Sequence, residues 1–243
     1  MVRRSLPAQE VVTLATRQGA GAGAGTGTGA EDALRGLEDE RSSVRLRAAL
    51  VVGSAPEAGF VGKLVERCAV ESDFFVRDML TWALTRHPVS VTLPELLREV
   101  GSERAQARSQ ALHTLSKIGD RRGWPAITRA LLADADDEVA RSAWRAAVVL
   151  VPEGEESELA SVLATQLGRG ERETQLSLSR ALVALGAAVE PALRAAAAAP
   201  DPRARTHALA TERLLRDPDA GFEFAIEEAK RAVALGGSGR AGQ

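Results

Sequence analysis

Phe74-Phe75-Val76-Arg77-Asp78-Met79-Leu80-Thr81-Trp82-Ala83-Leu84-Thr85-Arg86-His87 has the spacing of one complete amphipathic helix. Val76, Leu80, Ala83, Leu84 and His87 fall at i, i+4, i+7, i+8 and i+11, which is one face of an α-helix. Asp73 stands ahead of the stretch, where a carboxylate caps a first turn. Pro88 stands after it, where a helix has to stop.

The same pattern recurs along most of the chain. Similar segments open at Val44, Val76, Ala107, Val139, Thr174 and Ala204, at spacings of 32, 31, 32, 35 and 30 residues. A near-constant period of this size is the signature of stacked units, each unable to bury its apolar face alone. The longest spacing holds Pro152-Glu153-Gly154-Glu155-Glu156, an acidic loop. A first helix is expected before each segment, over Asp32 to Leu37, Gly59 to Val70, Leu93 to Val100, Trp124 to Leu132, Glu156 to Leu167 and Glu190 to Ala198. Pro94, Pro125 and Pro191 are placed in the first turns of these helices, where a missing N–H costs nothing. Gly119 and Gly186 are placed to end second helices in a left-handed cap. The expected organisation is a flexible segment over residues 1–30, a repeat region over 31–219, and a closing helix from Ala220 to Leu235 with a frayed tail.

Composition supports an all-α chain. Hydrophobic residues make up 45% of the 243, but aromatics only 3%, with no Tyr, so Ala and Leu carry the apolar load. A net charge of −2 argues against a protein dominated by duplex phosphate contacts, while leaving room for a local basic patch. Cys68 is the single cysteine, which excludes an internal disulfide and a multi-cysteine metal site. Gly19 to Gly29 alternates Gly with Ala or Thr and lacks the Gly-Lys-Ser/Thr ending of a phosphate loop, so it reads as a linker. Arg4 and its neighbours precede no continuous apolar run, and no run is long enough to span a membrane, so a cytoplasmic location is expected. The excess of Arg over Lys, with heavy Ala and Gly use, suggests a bacterial source.

An acidic turn, then Val-Arg, then Ala at +4 and Leu at +8, often closed by Gly, resembles the HEAT-repeat family, and more closely its short bacterial PBS-lyase-type variety. The resemblance covers about Glu31 to Asp217. It implies an α-solenoid, a right-handed superhelix of about six helix-turn-helix units, armadillo-like in its stacking. It also implies a polar ladder between the turn acid and the Arg after Val: Asp39 with Arg45, Asp73 with Arg77 and Asp201 with Arg205, with Glu103 opposite Arg108. The fifth unit departs, because Thr174-Gln175 replaces Val-Arg.

In such solenoids the second helices line the concave face. With the Val position as zero, +4, +7, +8 and +11 pack inward and +2, +6 and +10 form the opposite stripe. That stripe carries Asp78, Trp82, Arg86, His113, Lys117, Arg141, Arg145 and Arg180. An aromatic beside several cations is the composition of a partner-binding hot spot. The competing structural reading is that Trp82 packs between repeats and the arginines are a solvated face. Trp144 and Trp124 fall at structural positions.

Nothing in the chain demands catalysis. His87, His113 and His207 lie in three different units, and none has a Glu or His at metal-ligand spacing. No nucleophile elbow is present. The expected function is a non-enzymatic scaffold or adaptor that holds an acidic or extended segment of another protein, with no cofactor and no metal. The alternatives are a nucleic-acid-binding or glycosylase-like HEAT protein, to which Asp78, Trp82 and the arginines correspond by composition, and a lyase-associated accessory protein for cofactor attachment.

Overall fold

The computed structural model describes residues 28–238, and every regular element among them is helical. Residues 1–27 and 239–243 lie outside the described part, and with them most of the expected linker and the end of the tail. Two compact units divide the chain, one ending at Glu99 and the other opening at Val100. No single helix among the described residues is long and apolar enough to cross a membrane.

The first unit holds α1 (Thr28–Gly36), α2 (Ser42–Ser54), α3 (Val61–Cys68, entered through the 3-10 turn Ala58–Phe60) and α4 (Phe74–Arg86). Helix α5 (Val89–Val100) closes it, its last residue opening the second unit. The second unit continues with α6 (Ala105–Ile118), α7 (Arg129–Leu132), α8 (Asp137–Leu150), α9 (Glu156–Ala164), α10 (Arg172–Ala184), α11 (Glu190–Ala197), α12 (Pro202–Arg216) and α13 (Phe222–Ser238). The six segments read as second helices are α2, α4, α6, α8, α10 and α12.

Helix α4 shows why the local sequence suffices. The Asp73 carboxylate accepts from the N–H groups of Phe75 at 2.9 Å and Val76 at 3.1 Å, which satisfies two of the donors that a helix start leaves free. At the other end His87 is extended, with ψ at 155°, as the steric demand of Pro88 requires. Its ring is still buried, and Nδ1–H donates to the Ala83 carbonyl at 2.8 Å.

The +4 position is buried in all six second helices: Ala48, Leu80, Ala111, Ala143, Leu178 and Ala208. Alanine at four of the six lets neighbouring helices approach closely. The expected inward face breaks down mainly at the two ends, with Ile118 at +11 of α6 also half-buried. Val51 is 46% exposed, and in α12 the positions +8 and +11 are the half-buried Glu212 and Leu215. Trp144 anchors the second unit; its indole is fully buried and Nε1–H donates to the Leu132 carbonyl at 2.8 Å. Helix α13 covers α12, burying Phe222, Ala225, Ile226 and Ala229 against Ala210 and Leu214. Position +10 of α12 is thus core, not open stripe.

Two first helices differ from expectation. Trp124 to Leu132 is not one helix: a 3-10 segment, Arg121–Ala126, carries Trp124 and Pro125, and α7 starts afresh behind Thr128. The Thr128 hydroxyl accepts from the Leu131 N–H and forms a new cap. Pro94 lies inside α5, because that helix begins four residues earlier than Leu93, directly behind Pro88. Pro191 is at the start of α11 as expected, and Gly119 and Gly186 take positive φ where second helices end. Helix α1 reaches back to Thr28, into the stretch expected to be linker, and α13 begins at Phe222, two residues after Ala220.

The polar ladder is built differently from the pairs named above. Each arginine at +1 folds its Nη1 back onto two carbonyls of the turn before its own helix. Arg45 donates to the carbonyls of Asp39 and Glu40, Arg77 to those of Glu71 and Ser72, Arg108 to those of Ser102 and Glu103, and Arg205 to those of Ala199 and Pro200. The remaining guanidinium edge of Arg45 and Arg108 reaches the acid of the following turn, Glu71 and Asp134. The carboxylates of Asp73 and Asp201 cap helices, and that of Asp39 pairs with Arg41. In the fifth unit Gln175 does the arginine's work, donating to the Gly170 carbonyl at 3.2 Å. In the fourth, Ala140 occupies +1, and Arg169 from the next turn reaches back to the Asp134 carbonyl and to Asp137.

Candidate functional site

The residues named from the sequence fall into two groups, one per unit. In the first, Asp78, Trp82 and Arg86 stand on α4, the aspartate and tryptophan half-buried and Arg86 exposed. The Trp82 ring lies directly over Gly53 of α2: a Cβ on Gly53 would come within 2.4 Å of it. Trp82 therefore packs one second helix on the next, which is the structural reading and not that of a free anchor.

In the second unit, three successive second helices bring cations together. Lys117 comes from α6, Arg141 and Arg145 from α8, and Arg180 from α10. They line one cleft of about 410 Å³. Val148, Val149, Leu176 and Ala181 supply its apolar wall, and Glu173 is its one acidic residue. His113 lies beside Arg145 and Lys117; burial, aided by those two charges, pushes its pKa down to about 4, so the ring is neutral near pH 7.

The four cations are not equivalent. Arg141 is held by Glu138 at 2.7 Å and by Glu173 at 3.2 Å. No carboxylate of the described residues comes within 4.0 Å of Lys117, Arg145 or Arg180. Arg145 is half-buried; Nη2–H donates to Ser142 Oγ at 2.8 Å, while Nε has no hydrogen-bond partner. Burial presses its pKa below that of free arginine; Glu138 opposes the shift and Arg141 adds to it. A partly desolvated guanidinium without a carboxylate partner is suited to a carboxylate or phosphate, which Arg binds in a planar, paired geometry.

Comparison of the sequence with protein-family models found no match, and comparison with curated proteins found none either.

A second cleft of similar size, about 420 Å³, lies between the starts of α10 and α12 and helix α13. Its Arg172 faces Glu223 at 2.7 Å and its Lys230 faces Glu227 at 2.9 Å. Two of its three cations are thus already paired with carboxylates, and the third, Arg203, donates to the Gly170 carbonyl at 3.1 Å. Sequence reasoning gave no sign of Glu173, which sits one residue before the repeat start and outside the +2, +6, +10 stripe. Among the described residues no cluster of three His, Cys, Asp or Glu is placed to hold a metal. Burial pushes the Cys68 thiol up to about 12, far from a reactive thiolate.

Proposed function

We propose that this chain is a non-enzymatic interaction module, a HEAT-type α-solenoid whose second unit holds an acidic, extended segment of another protein. One observation carries the reading. Lys117, Arg145 and Arg180 converge on a cleft with apolar walls and form no salt bridge with any described residue. In a chain of net charge −2, such a local excess of positive charge steers an acidic partner and fixes its register. The matching helix positions along both units, with +4 buried throughout, support the stacked-repeat architecture. The excess of Arg over Lys, with heavy Ala and Gly use, supports a bacterial source.

Fluorescence anisotropy with a labelled Asp/Glu-rich peptide at low salt tests this. Arg145→Ala should weaken binding about tenfold or more, as loss of a charge-assisted contact does. Arg122→Ala, which removes an exposed arginine already paired with Asp120 at 2.6 Å, should leave it unchanged. Tighter binding of single-stranded DNA than of the peptide, or equal effects of the two substitutions, would contradict the proposal.

A further inference from the structure

The cleft's lining changes character along α8, and this grades what it accepts. Arg141, Arg145 and Val149 follow one another at four-residue intervals on one helix face, a rise of about 6 Å per step. Same-face side chains of an extended segment recur every second residue, a step of about 6.6 Å. Successive same-face residues of such a segment therefore meet successive levels of the helix. At the first level Arg141 is already neutralised by Glu138 and Glu173. At the second, Arg145 and Arg180 occupy the same repeat position on successive second helices, and neither forms a salt bridge with a described residue. At the third, Val149 is 46% exposed beside Val148, with Lys117 at the edge.

Resting on the reading above, we propose that the cleft selects an acidic residue and an apolar residue two positions apart on one face of an extended segment, and that Glu173 excludes a second acid from the opposite end. The acid sits between Arg145 and Arg180, and the apolar side chain covers Val149. Glu173 is an exposed side chain held at 3.2 Å, so its contact with Arg141 costs little to keep or lose. Its charge is nonetheless where a further ligand carboxylate would fall.

Five short peptides in a neutral Ser/Gly background test the selection, with Kd read by anisotropy. They carry Asp-x-Leu, Leu-x-Asp, Asp-x-x-Leu, Asp-x-Ser and Glu-x-Asp-x-Leu. One of the first two should bind about tenfold tighter than the three-residue spacing and than the serine version. The added Glu, placed as Leu-x-Asp-x-Glu where Leu-x-Asp is the tighter order, should give no gain with the wild-type chain and a gain of about threefold or more with Glu173→Gln. Affinities that follow peptide charge alone, with the extra Glu tightening wild-type binding and spacing without effect, overturn this inference and leave the acidic-segment reading standing. No binding of any peptide to either chain at low salt overturns both.

Discussion

Glu71 is fully buried, and Arg45 meets it through two bonds of 2.7 Å. Burial works against its charge, but Arg45, the Asp73 N–H and Arg67 more than offset that and hold its pKa down to about 2. Arg45→Ala removes two charge-assisted bonds from a buried carboxylate that keeps Arg67 and the Asp73 N–H, and should cost about 1.5–3 kcal/mol of unfolding free energy in urea titrations. A loss under about 1 kcal/mol, the size of an exposed pair, would contradict the geometry. Gly53→Ala should also destabilise. Alanine is the better helix former by about 1 kcal/mol, yet here its Cβ meets the Trp82 ring at 2.4 Å and the Ala83 backbone at 2.9 Å. Overpacking of this kind costs about 1–3 kcal/mol, so the urea midpoint should fall. The periodicity located these residues but not their partners. An arginine six residues after a carbonyl and 26 before a glutamate leaves no local sequence signal, because both contacts depend on how the turns stack.

His207 sets a pH limit at the same scale. The Gly168 N–H donates to its Nδ1 at 3.0 Å, which leaves Nε2 to carry the proton toward the Gln175 carbonyl and Ser179 Oγ. Burial pushes its pKa down to about 4, against a slight lift from Gln175, and His113 is pushed to about the same value. Unfolded, both rings take up protons near pH 6.5, so between about 6.5 and 4 the unfolded chain binds more protons than the folded one. Stability is full above pH 6.5 and falls on acidification, by on the order of 1 kcal/mol per pH unit per ring. The urea midpoint should drop between pH 7 and pH 5, above the carboxylate range; a flat profile would contradict the buried neutral rings.

Among the elements, helix ends were the most legible feature. Asp73, Asp136 and Asp201 each accept from N–H groups of the helix they precede, and an Asp ahead of an apolar run signals this directly. Asp136→Ala should lower stability by about 1 kcal/mol without changing the cleft's affinity for an acidic peptide. The break between Arg121–Ala126 and α7 was not legible. Thr128 forms a new cap inside what reads as one apolar run, and only packing decides between a kinked helix and two pieces. Gln175 is a similar case: it replaces the usual arginine and still reaches the Gly170 carbonyl. Gly170 itself is fixed by space and φ, since a Cβ there would approach Thr174 at 2.8 Å and Asp137 at 2.9 Å.

For the molecule as a whole, the proposed binding rests on Lys117, Arg145 and Arg180, cations that form no salt bridge with any described residue. The stripe rule identified all four cations of the cleft but grouped them with Trp82, which packing uses, and did not reveal which arginine is already neutralised. That distinction depends on Glu138 and Glu173 and on their distances to Arg141. The most direct test is a reciprocal charge swap, with circular dichroism confirming that each variant keeps its helix. Arg145→Glu should abolish binding of an Asp-containing peptide and gain binding of the same peptide carrying Lys at the Asp position. Loss of the first without gain of the second, or retention of the Asp peptide by Arg145→Glu, would contradict a carboxylate seated on Arg145.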